Sequence, residues 1–438
     1  MISTQDDNNA LLSGAVLPAL LRYALPIILS MIATQLYTVV DTMIIGLKLD
    51  ADALAAVSNA STVLMIFLFL SGGMELGGGL LVAANKPTAT RSEMDQLLYN
   101  LLFVDEVLAL LLTVLGFFSL PGLLRLIQTP AEILDEAVLY GRVYLIGLPF
   151  LMPYDLSKQL VIGCGNSRTP LRVVLVTSLL NVLLDLALVG PFGVAGAAAA
   201  TAFSQVVGVL YMMFYLRRHD LSTPFRPGML RASYAKKIFA LAAPNSVQQA
   251  SGTVITLVKQ SLLGGLGVAA IAGFSCASKV SSLLMMPVCG FIQSIVFFIA
   301  QNTAAAQPDR VQTGLREGRR ILFVYSLLVV TVCILFREPL LRLFTTDAET
   351  ARCGAVLLAF ESVSYLFVTQ KHLLEGRLRG AQKMGLYLLS NLGQIGLNLL
   401  CCILLVPLVG FNGFWLSTWI SAPAGLVLAY VLVKVSRT

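Results

Sequence analysis

This sequence has little charge. Only 12% of its 438 residues are Asp, Glu, Lys or Arg, whereas 57% are hydrophobic and the mean hydropathy is +0.83. Soluble domains carry about a quarter charged residues, so a water-soluble globule is excluded and a polytopic membrane protein is indicated. Histidine is nearly absent, with only His219 and His372. The seven cysteines (Cys164, Cys276, Cys289, Cys333, Cys353, Cys401, Cys402) form no CxxC or His–Cys cluster. A zinc or haem centre therefore has little support, and the thiols read as small apolar packing groups. No Walker motif is present. The glycine-rich run 71–79 has no lysine after it and lacks phosphate-loop spacing, so it reads as tight, flexible packing and any transport is not powered by ATP on this chain. The polar, acidic stretch 1–9 is no signal-peptide n-region, so the first membrane helix is expected to direct insertion. No cofactor is expected beyond a coupling ion.

Apolar helical runs occupy 17–46, 54–84, 97–119, 134–162, 170–190, 194–216, 237–264, 269–301, 320–337, 352–376, 385–407 and 412–434, which predicts twelve spans. The connecting loops alternate in charge. One set holds Lys86, Arg91, Arg168, Arg172, the basic residues of 217–237, Arg310, Arg316, Arg319, Arg320, Arg377, Arg379, Lys383, Lys434 and Arg437; the other holds Lys48, Arg125, Arg337, Arg342 and Arg352. The basic set is expected in the cytoplasm, with both termini inside. The net charge of +7 thus reads as loop asymmetry and not as a nucleic-acid surface.

The chain repeats itself. Pro26 and Pro244, Gly46 and Gly264, and Pro121 and Pro339 are each 218 residues apart. At an offset of 217, Ala60-Ser61 matches Ala277-Ser278, Asn181 matches Asn398, and Gly193-x-x-Gly196 matches Gly410-x-x-Gly413. The expected organisation is all-α: an N-lobe over 1–216, a cytoplasmic linker over 217–236 and a C-lobe over 237–438. Six helices per lobe is an even number, so a pseudo-two-fold axis along the membrane normal is expected, with a cavity between the lobes.

The residues that carry chemistry break the apolar pattern. In the first helix Asp41 is an acid within a run apolar enough to lie in a bilayer, and Pro26 gives that helix a place to bend. Intramembrane acids mark transport or proton pathways by default; the bland reading is a structural Asp satisfied by neighbouring helices. Thr34, Tyr37 and Asp41 share one helical face, as do Asn181 and Asp185, and Thr201 and Gln205. Asp41, Asn181, Asp185 and Thr201 are expected to meet inside the first bundle. There one carboxyl holds a proton near neutral pH, or a small hard cation such as Na+ takes the oxygens of all four. The repeat exposes an asymmetry: Lys259 stands at the position of Asp41, and Cys402 at that of Asp185. Lys259 either snorkels to the interface or lines the second-half cavity, paired with Glu361. Tyr365 and Thr369 are four apart and are candidates for that cavity, with packing as the bland reading. Asp155, Lys158, Lys371, Glu375 and Arg377 read as gate or interface charges near helix ends.

Pro26…Leu36-Tyr37…Asp41-Thr42…Gly46, Ala53–Val57, Asn181…Asp185 and the run 193–201, followed by Pro244…Gln248-Gln249 and Phe298–Asn302, resemble the multidrug and toxic compound extrusion (MATE) family, in particular its DinF-like branch. Lys259 and Cys402 depart from the acidic second-half ligands of the NorM-like branch. The resemblance implies a twelve-helix, two-lobed antiporter, not an enzyme. It would export organic, cationic or amphipathic compounds from the cytoplasmic (inner) membrane of a prokaryote in exchange for H+ or Na+. Its sites would be Asp41, Asp185, Asn181 and Thr201 for coupling, with a Na+ site on those same four, and Thr34, Tyr37, Gln205, Lys259 and Tyr365 for the substrate cavity. A bend is expected at Pro26. The expected partners are small organic substrates and the bilayer, with no nucleic acid, and the protein is expected to be a monomer. Two alternatives stay open: a flippase for a lipid-linked precursor, and an intramembrane aspartyl protease using Asp41 and Asp185, although neither Asp lies in a Gly-x-Gly-Asp context.

Overall fold

The computed structural model describes residues 11–219 and 227–436. The polar stretch 1–9, most of the polar run of the linker including Arg226, and Arg437 lie outside the described residues. Among the described residues there are fourteen α-helices and no strand: α1 (Val16–Lys48), α2 (Ala51–Asn85), α3 (Arg91–Leu126), α4 (Ala131–Ile146), α5 (Leu148–Gly163), α6 (Arg168–Arg218), α7 (Ala232–Leu263), α8 (Val268–Ala304), α9 (Pro308–Leu335), α10 (Arg337–Arg342), α11 (Ala348–Val363), α12 (Tyr365–Gly380), α13 (Met384–Val409) and α14 (Asn412–Val435).

These make twelve spans. Eight helices are individually long and apolar enough to cross a membrane, and the pairs α4–α5 and α11–α12, each bent by 51°, add two more. α6 counts twice. Its 51 residues would stretch about 77 Å as one rod, more than twice a bilayer core of roughly 30 Å. Gly193 breaks it at φ 58°, ψ −142°, a conformation that a side chain would strain. α7 completes the set; Asn245, Gln248, Gln249 and Lys259 interrupt its apolar run.

Polar caps fix several helix starts. Asp50 accepts from Ala53 N–H at 2.8 Å, and Thr90 and Glu93 form a reciprocal capping box. Asp347 accepts from Thr350 N–H at 2.7 Å. The side chain and backbone of Thr350 hold the Asp347 carboxyl below the usual carboxylate range. Within the helices, hydroxyls close onto the preceding turn: Thr38 onto Thr34 O, Ser58 onto Leu54 O and Ser294 onto Gly290 O. This satisfies them without water, as a bilayer requires. Large apolar side chains such as Leu47, Phe118, Phe214 and Leu408 remain exposed on the outside, which suits a lipid solvent.

Three expectations change. The single helices expected over 134–162 and 352–376 are each broken, at Gly147 and Ser364. α9 begins at Pro308, three turns before the apolar run, because residues 308–319 are helical but polar. Hydropathy does not register such an extension.

The chain divides into two compact units. Among the described residues, the first holds Leu11, Leu12, 22–219 and 227–247; the second holds 13–21 and 248–436. The division therefore falls inside α1 and α7 and not in the linker. Taken separately, the units repeat the same backbone plan. Gly193 (φ 58°) has its counterpart in Gly410 (φ 61°), and the break at Gly147 in that at Ser364. A β-carbon on Gly163 would strike Gly79 O at 2.4 Å, and one on Gly380 would approach Val296 O at 2.9 Å. In the first unit the glycine run of α2 lies against α7: a β-carbon on Gly73 would come within 2.7 Å of Ala242 O and on top of Ser246 Oγ. The tight packing expected of that run is present.

Candidate functional site

The site is built in the first unit by α1, α4 and the two arms of α6. Because α6 folds back at Gly193, its arms pack closely: a β-carbon on Gly196 would lie 2.3 Å from Leu188 O. The close approach brings Asn181 and Thr201 together across 20 residues, with Asn181 Nδ2 and Thr201 Oγ1 3.3 Å apart. With the Asn181 amide turned to satisfy both ends, it donates to Asp185 Oδ2 at 3.1 Å and accepts from Thr201 N–H at 3.3 Å. Asp185 is 0% exposed and Asn181 is 2% exposed. Asp41 of α1, half-buried, brings its carboxyl within hydrogen-bonding reach of that of Asp185. Two carboxyls share a hydrogen bond only when one oxygen carries a proton. One oxygen on each, Oδ1 of Asp41 and Oδ1 of Asp185, has no protein partner. The four residues thus form one oxygen-rich pocket.

The other candidates fall as follows. Gln205, one turn beyond Thr201, is buried with Oε1 unpartnered. Tyr37 is half-buried, while Thr34 is exposed. α1 runs unbroken through Pro26, whose carbonyl accepts from Ser30 Oγ at 2.8 Å. In the second unit Lys259 is half-buried, and among the described residues no ion pair joins it to Glu361. Tyr365 is buried in the apolar core of that unit, with its hydroxyl beside Ser281. Thr369 bonds Ser326 at 2.8 Å. At the position of Asp185, Cys402 offers its thiol to Asn398 Oδ1 at 3.9 Å, and Asn398 donates to Ser421 at 2.9 Å and to Thr418 at 3.5 Å. The second copy keeps the amide–hydroxyl pairing without the acid.

Sequence reasoning missed Tyr140 and Tyr144. They lie one turn apart on α4, with ring centroids 6.2 Å apart. Tyr140 is within electrostatic reach of both Asp41 and Asp185, its hydroxyl beside Ser61. Tyr144 and Tyr37 continue this file of phenols toward Tyr154 and the Asp155–Lys158 ion pair. Spacing by four was the available signal. Asp105 was also missed: it is 0% exposed, neither carboxyl oxygen has a protein partner, and Glu75 and Asp155 lie nearby. Lys371 and Glu375 are not rim charges. They pair with each other at 2.8 Å, at 1% and 3% exposure, and Ser390 donates to Glu375 at 2.9 Å.

A duplicated set of six spans, with a buried acid pair on one copy, is the architecture of a secondary transporter. A sequence model of the MatE family matches residues 26–187 and 244–404, one stretch in each half. The chain is 28% identical over 382 residues to the probable multidrug resistance protein YpnP of Bacillus subtilis, covering 86% of each chain. It is 26% identical over 360 residues to a FAD transporter of Shewanella oneidensis, covering 78% of this chain and 77% of that one. In fold it is similar to a MOP superfamily transporter from Pyrococcus furiosus, with a TM-score of 0.90 at 19% identity over 98% of this chain and 97% of that one. The chain belongs to the MatE family, the multidrug and toxic compound extrusion transporters. It is a multi-pass membrane protein and not an enzyme, which disposes of the protease reading.

Proposed function

We propose that this transporter is a proton-coupled antiporter of the DinF-like branch, exporting organic, cationic or amphipathic compounds from the prokaryotic inner membrane as a monomer with both termini in the cytoplasm. The observation that carries the reading is the Asp41–Asp185 carboxyl pair, braced by Asn181 and Thr201. In the cycle we infer, a proton from outside settles between the two carboxyls. The pair loses a charge, so the hydration and packing around α1 change. That change favours the state from which substrate leaves outward; the proton is then given up on the inside. An ion drives such a cycle only by binding the two states with different affinity, and a buried acid pair supplies that difference. The support for H+ over Na+ is the direct approach of the carboxyls. The cycle would be one of alternating access, with Tyr37 and Gln205 proposed as substrate contacts in the first unit and Lys259 in the second.

The test is uptake of several fluorescent dyes into inverted vesicles under separately imposed pH and Na+ gradients. Accumulation driven by the pH gradient alone is expected. Accumulation that follows Na+ and ignores pH would overturn the proton assignment.

A further inference from the structure

The second unit carries a groove that the transport cycle does not use. Two adjoining cavities, of about 330 and 640 Å³, run between α9, α12 and α14 and share Arg319, Leu373, Leu374 and Tyr430. From the first to the second, the lining advances along α9 from Arg316 to Phe323 and retreats along α14 from Lys434 to Val427. α9 is therefore antiparallel to α14, and the groove has a direction. Seven residues on each helix correspond to about 10 Å of length.

Its two ends differ in chemistry. One end carries Arg316, Arg319, Arg377 and Lys434; the other carries Phe323, Leu426 and Val427, with Arg320 at the edge held by Glu317 at 3.2 Å. No carboxylate lines either cavity. Among the described residues, Arg316, Arg319 and Lys434 have no ion-pair partner. Phe323 is 50% exposed and Val427 63% exposed, so the apolar end opens outward. The basic end lies where α9 has not yet entered its apolar run and where α12 and α14 terminate, the depth at which a bilayer presents phosphates. A phosphate at that end with an acyl chain descending past Phe323 and Val427 matches both halves of the groove. A soluble anion would use only the basic end.

We propose that this groove is a binding site for an anionic phospholipid, whose phosphate is held by Arg316, Arg319 and Lys434 and whose acyl chain lies along Phe323, Leu426 and Val427. The full chain, solubilised in mild detergent, would be titrated by native mass spectrometry with phosphatidylglycerol, cardiolipin and phosphatidylethanolamine. Preferential retention of the two anionic lipids is expected. A triple variant, Arg316→Gln with Arg319→Gln and Lys434→Gln, should lose about 100-fold of that preference, taking one charge as the unit of attraction. Arg168→Gln with Arg172→Gln, on the other unit, should retain it. Equal retention of phosphatidylethanolamine, an unchanged triple variant, or displacement of the lipid by millimolar inorganic phosphate would each overturn the proposal. A second measurement does not depend on the triple variant folding. Phe323→Trp fluorescence should be quenched by brominated phosphatidylglycerol more strongly than by brominated phosphatidylethanolamine, and equal quenching would count against the site.

Discussion

Asp41→Asn isolates the coupling step. The substitution keeps the size of a half-buried side chain and one acceptor oxygen, puts an N–H donor where the protonated acid has its O–H, and removes the ability to ionise and so to bind and release a proton. In the wild type the Asp41 and Asp185 carboxyls lie within hydrogen-bonding reach, and on the proposed reading the pair trades one proton per cycle. A gradient of about two pH units stores roughly 2.7 kcal/mol per proton. For one-for-one, electroneutral exchange, this sustains a substrate concentration ratio of about 100. With Asn at position 41 no proton is shared, the ion no longer distinguishes the two states, and the plateau ratio falls to about 1 while downhill exchange continues. The assay is plateau accumulation of a transported dye in proteoliposomes with an imposed pH gradient. Thermal unfolding of the same preparation would show that the fold is intact. A plateau well above unity in Asp41→Asn refutes the reasoning. So does full accumulation in Asp185→Asn beside a dead Asp41→Asn, because the proton would then belong to one residue and not to the pair.

Three further outcomes follow from the packing. Asp105→Leu removes a fully buried carboxyl with no protein partner, so unfolding in detergent should require about 1–3 kcal/mol more, with transport retained. Lys371→Met strands Glu375 with Ser390 as its remaining partner; it should destabilise by about 3–5 kcal/mol, and most of that loss should return in the double variant with Glu375→Leu. Gly73→Val forces atoms into Ala242 O and Ser246 Oγ and should lower stability by at least about 1–3 kcal/mol. Thermal unfolding reads both losses, and a neutral Gly73→Val would mean that α2 and α7 are not closely apposed.

Much of the site was legible because a bilayer makes polarity expensive. Asp41 and Asp185 stood out against apolar runs, helical spacing tied Asn181 to Asp185, and the small-residue run 193–201 allowed the next helix to bring Thr201 close before any contact was known. Tyr140 and Tyr144 did not stand out, because a phenol is as ordinary in a packed core as in a proton path. Asp105 was passed over among the charges of α3, although its burial is the most complete of them. The break at Gly147 had a glycine and a following proline to announce it. Its counterpart at Ser364 had neither, and only the repeat links the two. The polar start of α9 was invisible for the opposite reason: a helix that continues into water carries no hydropathy signal. The division inside α1 and α7 depends on which helices touch, and no local pattern encodes that.

The two halves are close copies in backbone and unequal in chemistry, and the inequality is informative. Gly193 and Gly410 take nearly the same left-handed turn, and both copies place an Asn against a Thr across that turn. The folding demand is therefore met twice by the same means. An acid adds nothing to that demand: Cys402 satisfies Asn398 with a thiol at almost no desolvation cost, whereas Asp185 takes a carboxyl fully out of contact with solvent, which is costly. A residue that is costly to bury, dispensable to the fold and present in one copy is best explained by a task done in that copy alone. The repeat thus serves as an internal control: where it holds, the residues answer to packing, and where it fails, at positions 41 and 185, packing does not account for them and the proposed ion coupling does.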